Sequence, residues 1–211
     1  MILVRHGESA GNAAGLLLGR IDSPLTERGV TQARSLTAVV AGATRLISSP
    51  LARALATAAE LGTGLTIEVD ERWVEVDYGE YDGWALGDIP ADVWSKWRSD
   101  LDFAPPGGES LATAAARARA ACDELFAEPD GPARGDGVVV VVSHVSPIKA
   151  ATCWALGLGD EGAGRLYLAN ASVTRVIWGS GGPLLAGFNQ TPWSAGGPGP
   201  AIRSGPGPAS R

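Results

Sequence analysis

Both histidines of the chain directly follow predicted strands. Arg5 and His6 come after the apolar residues 2 to 4. Five consecutive valines, residues 138 to 142, are followed by Ser143 and then His144. Arg53 lies in the first turn of a predicted helix that follows a third short strand, residues 46 and 47. The carboxyl ends of parallel strands meet at one edge of a sheet. If the three strands are parallel neighbours, both imidazoles and both guanidinium groups share one pocket.

Such a pocket suits a phosphoryl group. Two guanidinium forks hold phosphate oxygens in bidentate fashion, and a helix beginning near Leu51 adds the positive end of its dipole. An imidazole nitrogen held in line can attack phosphorus and carry the group covalently. The second imidazole can donate a hydrogen bond as charge develops on the equatorial oxygens. The sequence therefore predicts covalent phosphoryl transfer through one histidine, assisted by the other.

This chemistry also needs an acid that protonates the leaving alkoxide. Glu75, which follows a predicted strand at residues 65 to 69, is the candidate. Four neighbouring acids stay open as alternatives: Glu68, Glu71, Asp77 and Glu80.

Each candidate also has a purely structural explanation. Either histidine could be a satisfied residue without a catalytic role, and Arg53 could be an ordinary helix residue paired with Glu60. Asn12 could simply shape the loop after His6. Trp94 and Trp97, three residues apart, are more typical of core packing than of a substrate wall.

Four segments carry further information through their order and spacing. They are residues 5 to 9 (R-H-G-E-S, with Asn12 following), 22 to 29 (D-S-P-L-T-E-R-G), 48 to 54 (S-S-P-L-A-R-A) and 143 to 144 (S-H). Together they resemble the signature of the histidine phosphatase superfamily, also called the phosphoglycerate mutase-like family. An isolated R-H-G triplet would be weak evidence, whereas four segments in this order are specific.

The resemblance implies a role for each matching residue. His6 is then the residue that is phosphorylated, and Arg5, Asn12, Arg53 and His144 hold the phosphoryl group. Glu75 aligns with the proton donor of the family, which later activates the hydrolytic water. The resemblance implies neither a metal nor another cofactor.

The same resemblance implies a phosphoglycerate mutase-like fold over residues 1 to 192. This is a three-layer α/β/α arrangement with a mostly parallel central sheet. The alternation of predicted strands and helices independently favours an α/β fold with a largely parallel sheet.

Several positions depart from the family pattern. Val145, Ser146 and Pro147 follow the second histidine in place of Gly-Gly, as in members described as acid or α-ribazole phosphatases. Leu18 stands where many members carry a polar residue, and Asp77 replaces a basic residue of the mutases. The stretch between residues 79 and 144 is also shorter than in the mutases. These departures favour a phosphatase over a mutase.

The remaining elements follow from apolar periodicity and turn residues. Helices are predicted at residues 27 to 41, 51 to 61, 110 to 128 and 146 to 156, and late strands at 173 to 178 and 184 to 188. Residues 77 to 108 are predicted to be irregular. The Gly/Pro-rich residues 193 to 211 are predicted to form a disordered tail.

Composition limits the classes of function. The 211 residues carry a formal net charge of −6, which disfavours nucleic-acid binding. No apolar run reaches the roughly 18 residues of a membrane span, and the apolar N-terminus is too short for a signal peptide. Cys122 and Cys153 are expected to be reduced core residues, so we expect a cytoplasmic protein. The sequence does not indicate an oligomeric state.

The sequence thus predicts hydrolysis of a small phosphate monoester through a phosphohistidine at His6. A phosphoglycerate mutase and a catalytically silent phosphate-binding module are the alternatives. A metal-dependent phosphatase is disfavoured because potential ligands are scarce. The substrate stays open among a cobalamin-precursor phosphate, a sugar phosphate and a phosphoglycerate derivative.

Overall fold

The computed structural model describes residues 1–128 and 137–192. Within them the strands are β1 Ile2–Arg5, β2 Arg45–Ser48, β3 Ile67–Val69, β4 Val139–Ser143, β5 Val173–Gly179 and β6 Gly182–Gln190. The α-helices are α1 Ala10–Ala13, α2 Glu27–Arg34, α3 Ala52–Glu60, α4 Ala91–Ser99, α5 Leu111–Ala127 and α6 Val145–Leu156.

The strands form one sheet in the order β3-β2-β4-β1-β5-β6. Neighbours among the first four strands are parallel, while β5 and β6 continue the sheet as an antiparallel hairpin. In the register of the sheet, Arg5 lies opposite Ser143 and Ser48 lies opposite Val142. Strands β1, β4 and β2 are therefore parallel neighbours that end at the same level, as the sequence predicted.

The two faces of the sheet carry separate cores. Successive strand residues point to opposite faces, so Leu3 and Val141 pack with residues of α5 and α6. Val4 and Val142 pack instead with residues of α3. The arrangement confirms the predicted three-layer α/β/α fold with a mostly parallel sheet.

Helix α2 is shorter than predicted, since it ends at Arg34 instead of continuing to residue 41. The hydroxyl groups of Ser35 and Thr37 each donate to a backbone carbonyl three residues earlier, at 2.6 and 2.8 Å. Such bonds compete with the helical ladder, and the chain continues in turns. Leu36 and Val40 are nevertheless buried, as expected for the predicted apolar face.

The prediction that residues 77 to 108 are irregular was wrong, because they contain α4. Val93 and Trp97, four residues apart on this helix, are buried and form a small core with Leu17 and Ile89. The helix has only nine residues and no side-chain hydrogen bond at its N-cap, Pro90, so its signal in the sequence is weak.

Other boundaries differ little from the predictions. Strand β3 begins at Ile67 instead of residue 65. The predicted disordered tail, residues 193 to 211, and residues 129 to 136 of the loop before β4 lie outside the described residues. Across the ranges that the structure describes, every helix is too short or too polar to cross a bilayer.

Candidate active site

His6 is held directly after β1. Its backbone N–H donates to the carbonyl of Ser143 at 3.0 Å, which extends the β1–β4 ladder by one residue. The residue is 3% exposed, and its Nδ1 lies 2.7 Å from the carbonyl oxygen of Gly7. Because a carbonyl oxygen only accepts, Nδ1 carries the proton and Nε2 keeps its lone pair. His6 therefore has the tautomer that an attacking imidazole requires.

The surroundings of His6 also favour its neutral form. Burial lowers the pKa of His6 well below 6.5, and the positive charges of Arg5 and Arg53 lower it further. The hydrogen bond to Gly7 opposes this shift but does not reverse it. A neutral imidazole is a nucleophile, so His6 is ready to attack at neutral pH.

His144 is the N-cap residue of α6 and lies beside His6. The two ring centroids are 5.1 Å apart. Nε2 of His144 lies 2.7 Å from Oγ of Ser49, and within the described residues its buried Nδ1 has no hydrogen-bond partner. Burial is the largest cause that lowers the pKa of His144, followed by His6 and Arg53. A buried polar atom without a protein partner indicates a place where a ligand can bond.

The two predicted arginines are oriented by backbone carbonyls instead of carboxylates. Nη1 of Arg5 donates to Leu168 at 2.7 Å. Arg53 donates from Nη1 to Ile21 at 2.9 Å and from Nη2 to Gly19 at 2.7 Å. Each Nη atom carries two hydrogens, so both forks keep donors for an anion.

The charge of these arginines is not neutralised by an ion pair in the described residues. Burial lowers the pKa of Arg5 to about 10 and also lowers that of Arg53, while Glu75 is the strongest opposing influence on both. Both side chains stay cationic at neutral pH. Their uncompensated positive charge beside His6 favours the binding of an anion. The alternative that Arg53 pairs with Glu60 is wrong, because Glu60 pairs with Arg34 at 2.7 Å.

Glu75 is 4% exposed and lies at the N-terminus of α6. Its Oε2 accepts from the backbone N–H of Val145 at 3.0 Å, and its Oε1 accepts from Val76 at 2.9 Å and Ser146 at 3.2 Å. Arg117 fixes the backbone of Glu75 by donating from Nη2 to its carbonyl oxygen at 3.1 Å. The carboxylate is therefore held in one orientation by groups that only donate.

The other carboxylates of this segment have different surroundings. Glu68 pairs with Arg45 at 2.8 Å, and Asp77 accepts from the backbone N–H of Gly79 at 2.9 Å. Glu71 and Glu80 are exposed. Among the five acids considered, Glu75 is the one that lines a cavity with His6.

That cavity, which we call the phosphate cavity, has a volume of about 230 Å³. It is lined by Arg5, His6, Asn12, Leu16, Leu17, Leu18, Glu75, Tyr78, Leu86 and Val145. Arg53 and His144 do not belong to this lining. Both are 0% exposed. The ring of His144 is 5.1 Å from that of His6, and Arg53 is near enough to lower the pKa of His6. The structure thus brings all six predicted residues together, four at the cavity wall and two buried beside His6.

Asn12 combines a structural and a site position. Its Oδ1 accepts from the backbone N–H of Ser9 at 3.3 Å, from the Ser9 hydroxyl at 3.1 Å and from Nδ2 of Asn170 at 3.0 Å. With its oxygen engaged, the amide presents its NH₂ group for donation. The residue shapes the loop after His6, as the structural explanation proposed, and also lines the cavity.

Several residues of the site were not predicted. Ser49 orients His144, and Thr57 accepts from the backbone N–H of Gly7 at 3.0 Å. Tyr78 forms part of the cavity wall. Ser49 lies inside the motif of residues 48 to 54, and Thr57 lies one helical turn after Arg53. Both could therefore have been proposed as site residues from the sequence. Asn170 follows a loop whose path no sequence pattern reveals.

A larger cavity of about 460 Å³ adjoins the first, and we call it the distal cavity. The two share Tyr78 and Val145. Trp94 and Trp97 form part of the distal wall, although Trp97 is only 6% exposed. The prediction that these tryptophans belong to a core is confirmed for Trp97, which also borders the cavity.

A family model gives the broadest comparison with known proteins. The model described as "Histidine phosphatase superfamily (branch 1)" matches residues 1–191. This range contains all four sequence motifs and both cavities.

Curated relatives and solved structures agree with the family match. Glucosyl-3-phosphoglycerate phosphatase of Mycobacterium tuberculosis is 38% identical over 204 residues, covering 92% of this chain and 83% of the relative. Putative phosphoserine phosphatase 2 of Hydrogenobacter thermophilus is 30% identical over 184 residues, covering 83% and 88%. The structure of a mycobacterial glucosyl-3-phosphoglycerate phosphatase complexed with VO3 is similar with a TM-score of 0.79 at 34% identity, covering 90% of this chain and 98% of that one.

Proposed function

The chain belongs to the histidine phosphatase superfamily and is a phosphoric monoester hydrolase, and we propose that it works through a phosphorylated His6. The observation that carries the proposal is the 2.7 Å contact between Nδ1 of His6 and the carbonyl oxygen of Gly7, which fixes the tautomer. The Nδ1–H group of His6 donates to Gly7, which leaves Nε2 as a nucleophile in a cavity lined also by Arg5 and Glu75. A nucleophile, an anion-binding guanidinium and an acid are the parts that phosphoryl transfer requires.

In the first step, Nε2 of His6 attacks phosphorus and the bond from phosphorus to the ester oxygen breaks. Protonated Glu75 donates its proton to the leaving oxygen, so the product is a neutral alcohol. Arg5 and the amide of Asn12 donate to the phosphoryl oxygens. The carbonyl of Gly7 stabilises the positive charge that the imidazole acquires, because it accepts from Nδ1–H.

In the second step, water attacks the phosphohistidine and the bond between phosphorus and Nε2 breaks. Glu75, now a carboxylate, takes a proton from this water. Inorganic phosphate leaves, and neutral His6 and protonated Glu75 are restored. Arg53 and His144 support both steps from buried positions beside His6: Arg53 lowers the pKa of His6, and both side chains are fixed by hydrogen bonds.

The substrate class follows from the relatives and the cavity. By their names, the compared enzymes act on glucosyl-3-phosphoglycerate and on phosphoserine, which are small phosphate esters. The phosphate cavity of about 230 Å³ and the adjoining distal cavity offer room for a small molecule of this kind. We therefore propose a small-molecule phosphate monoester as substrate, hydrolysed without a metal.

A cytoplasmic location is part of the proposal. Cys122 and Cys153 are both buried free thiols. Burial raises the pKa of both thiols, so they are mainly protonated and unreactive. Unpaired buried cysteines are typical of proteins from reducing compartments.

The test is labelling with a phosphate ester that carries ³²P, stopped by denaturation at alkaline pH. The native protein is expected to retain an acid-labile, alkali-stable label, and His6→Ala is expected to lose both the label and phosphate release. Release of inorganic phosphate in excess of any isomeric ester separates hydrolysis from mutase activity. Activity in EDTA is expected to equal activity without it. Hydrolysis by His6→Ala at the native rate would overturn the mechanism.

A further inference from the structure

Lys149 is a cation of the distal cavity that the proposed reaction does not use. The other cation of that lining, Arg98, is exposed and donates from Nε to the carbonyl of Trp94 at 3.1 Å. Lys149 lies on α6, four residues after Val145, and its partly buried side chain lines the distal cavity. Within the part of the chain that the structure describes, it has neither a hydrogen bond nor an ion pair. Lysines in such positions are usually exposed or paired, so this ammonium group needs a partner that the protein does not supply.

The position of Lys149 relative to the phosphate cavity is set by the helix. Val145 lines both cavities, and residues four apart share one face of an α-helix. Four residues advance a helix by about 6 Å. The Cα atom of Lys149 therefore lies roughly one helical turn beyond that of Val145, and its side chain lines the distal cavity, which offers room for the leaving alcohol of a bound ester.

The electrostatic surroundings of Lys149 connect it to the reaction site. Its burial lowers its pKa, while Glu75 raises it and Arg5 lowers it. The three acids of the distal cavity are engaged or exposed: Asp160 pairs with Arg119, and Asp100 and Glu161 lie on the surface. An anion brought by the substrate is therefore the group that would complete the charge balance around Lys149.

We propose that Lys149 binds a carboxylate on the leaving alcohol of the substrate, which makes the enzyme selective for phosphate esters of hydroxy acids. The inference rests on the proposed function, since it assigns the alcohol side of the same substrate. A single ammonium group balances one unit of charge, which a carboxylate supplies. A second phosphate carries nearly two negative charges and is better held by a guanidinium fork. The apolar wall formed by Trp94 and Leu111 then contacts the rest of the alcohol.

The test compares two esters of equal length, 3-phosphoglycerate and glycerol 3-phosphate. They differ in that one has a carboxylate where the other has a hydroxymethyl group. The measured quantity is the ratio of their kcat/KM values. Because both rates come from one preparation, the ratio does not depend on the fraction of folded protein. One charge-assisted hydrogen bond predicts a ratio of about 10 to 100 for the native enzyme.

Variants at position 149 test whether Lys149 is the cation that binds the carboxylate of the substrate. Lys149→Met is expected to bring the ratio to about 1, Lys149→Glu to bring it below 1, and Lys149→Arg to keep a preference for the carboxylate. Lys96→Met is the matched control, because it removes the same charge from an exposed lysine that pairs with Asp92. This control is expected to keep the native ratio.

The outcomes separate the two proposals. A native ratio near 1, or a ratio that Lys149→Met leaves unchanged, would overturn the role of Lys149 while the mechanism through His6 stands. A preference for a bisphosphorylated three-carbon ester over 3-phosphoglycerate would also overturn it. If the native enzyme forms no phosphohistidine with any of these esters, the proposed mechanism through His6 is contradicted, and the role of Lys149, which rests on it, is contradicted as well.

Discussion

The carboxylate of Glu75 accepts a hydrogen bond from the backbone N–H of Val145, the residue that follows His144. The acid is thereby attached to the first turn of the helix that the second histidine caps. Two residues that lie 69 positions apart in the sequence, Glu75 and His144, are thereby held on the same helix end. The distance between the acid and the imidazoles depends on packing of α6 against the sheet.

Replacement of the acid tests this arrangement. Glu75→Gln is expected to lower kcat by about 10² to 10⁴, the usual contribution of general acid–base catalysis. The NH₂ group of the glutamine amide would face backbone N–H donors, so the free energy of unfolding should fall by about 1–3 kcal/mol. Steady-state kinetics and urea unfolding measure the two effects. Glu71→Gln, a matched change at an exposed acid, should alter neither, and an equal loss in both variants would contradict the assignment.

The buried histidines make stability depend on pH. Both have a pKa in the folded state well below 6.5, the value of the unfolded chain. The unfolded state therefore binds more protons to these histidines below pH 6.5, so the stability that depends on their neutral form is present above this pH and is lost as the pH falls. Below pH 6, the free energy of unfolding should fall by about 1.4 kcal/mol per pH unit for each histidine. Urea unfolding between pH 7 and 5 measures this slope.

A variant isolates the part of this slope that belongs to the histidines. The α-amino group of Met1 has its pKa lowered to about 6 by burial, and it contributes mainly between pH 8 and 6. His144→Gln removes one histidine and leaves this group in place, so its slope below pH 6 should be about half of the native slope. Equal slopes in the two proteins would show that His144 is not the titrating group.

The hydrogen bond between Ser49 and His144 is expected to set the orientation of the second imidazole. Ser49→Ala leaves the buried Nε2 of His144 without its partner, which should cost about 1–3 kcal/mol of stability and lower kcat about tenfold. The matched control is Ser172→Ala, since Ser172 is equally buried and its hydroxyl has no partner in the described residues. The control should keep its kcat and lose no stability. A normal kcat in Ser49→Ala would show that the ring needs no such anchor.

Two glycines let the loop after β1 pack directly on α2. A Cβ atom on Gly29 would lie 2.0 Å from the carbonyl oxygen of Glu8, and one on Gly7 would lie 2.4 Å from the carbonyl oxygen of Gly29. Gly29→Ala must therefore move the segment that carries His6, at a cost of about 1–3 kcal/mol. We expect a lower melting temperature and a lower kcat/KM. Gly87→Ala, at an exposed site with open space around it, should leave both at native values.

The sequence located the proposed reacting groups near one another because their positions follow from short apolar strands and ordered motifs. Once residues 2 to 4 and the valine run are read as parallel neighbours, His6 and His144 must meet at the ends of β1 and β4. The contacts of Asn170 and the carbonyl of Leu168 depend instead on the path of the chain before β5. That path is fixed by packing, which residue types alone do not reveal.

The weaker predictions failed for physical reasons of the same kind. Apolar periodicity continues past Arg34 and keeps Val40 buried, yet local hydroxyl bonds end the regular helix. The short helix α4 depends on two buried residues, Val93 and Trp97, which pack on a loop far away in the sequence. Lys149 belongs to none of the sequence motifs, and its place in the wall of the distal cavity becomes visible only when α6 is packed against the sheet.

The aromatic part of the distal wall lies on a different stretch of the chain from the proposed reacting groups. The phosphate cavity takes His6 and Arg5 from the end of a buried strand, whereas Trp94, Trp97 and Leu101 of the distal wall belong to α4 and the turn after it. Lys149, by contrast, lies on α6, whose first turn holds Glu75. The aromatic part can therefore accumulate substitutions while the proposed reacting groups keep their geometry. One scaffold can in this way give rise to hydrolases with different preferences, and exchange of residues 85 to 101 between relatives is a direct route to a new one.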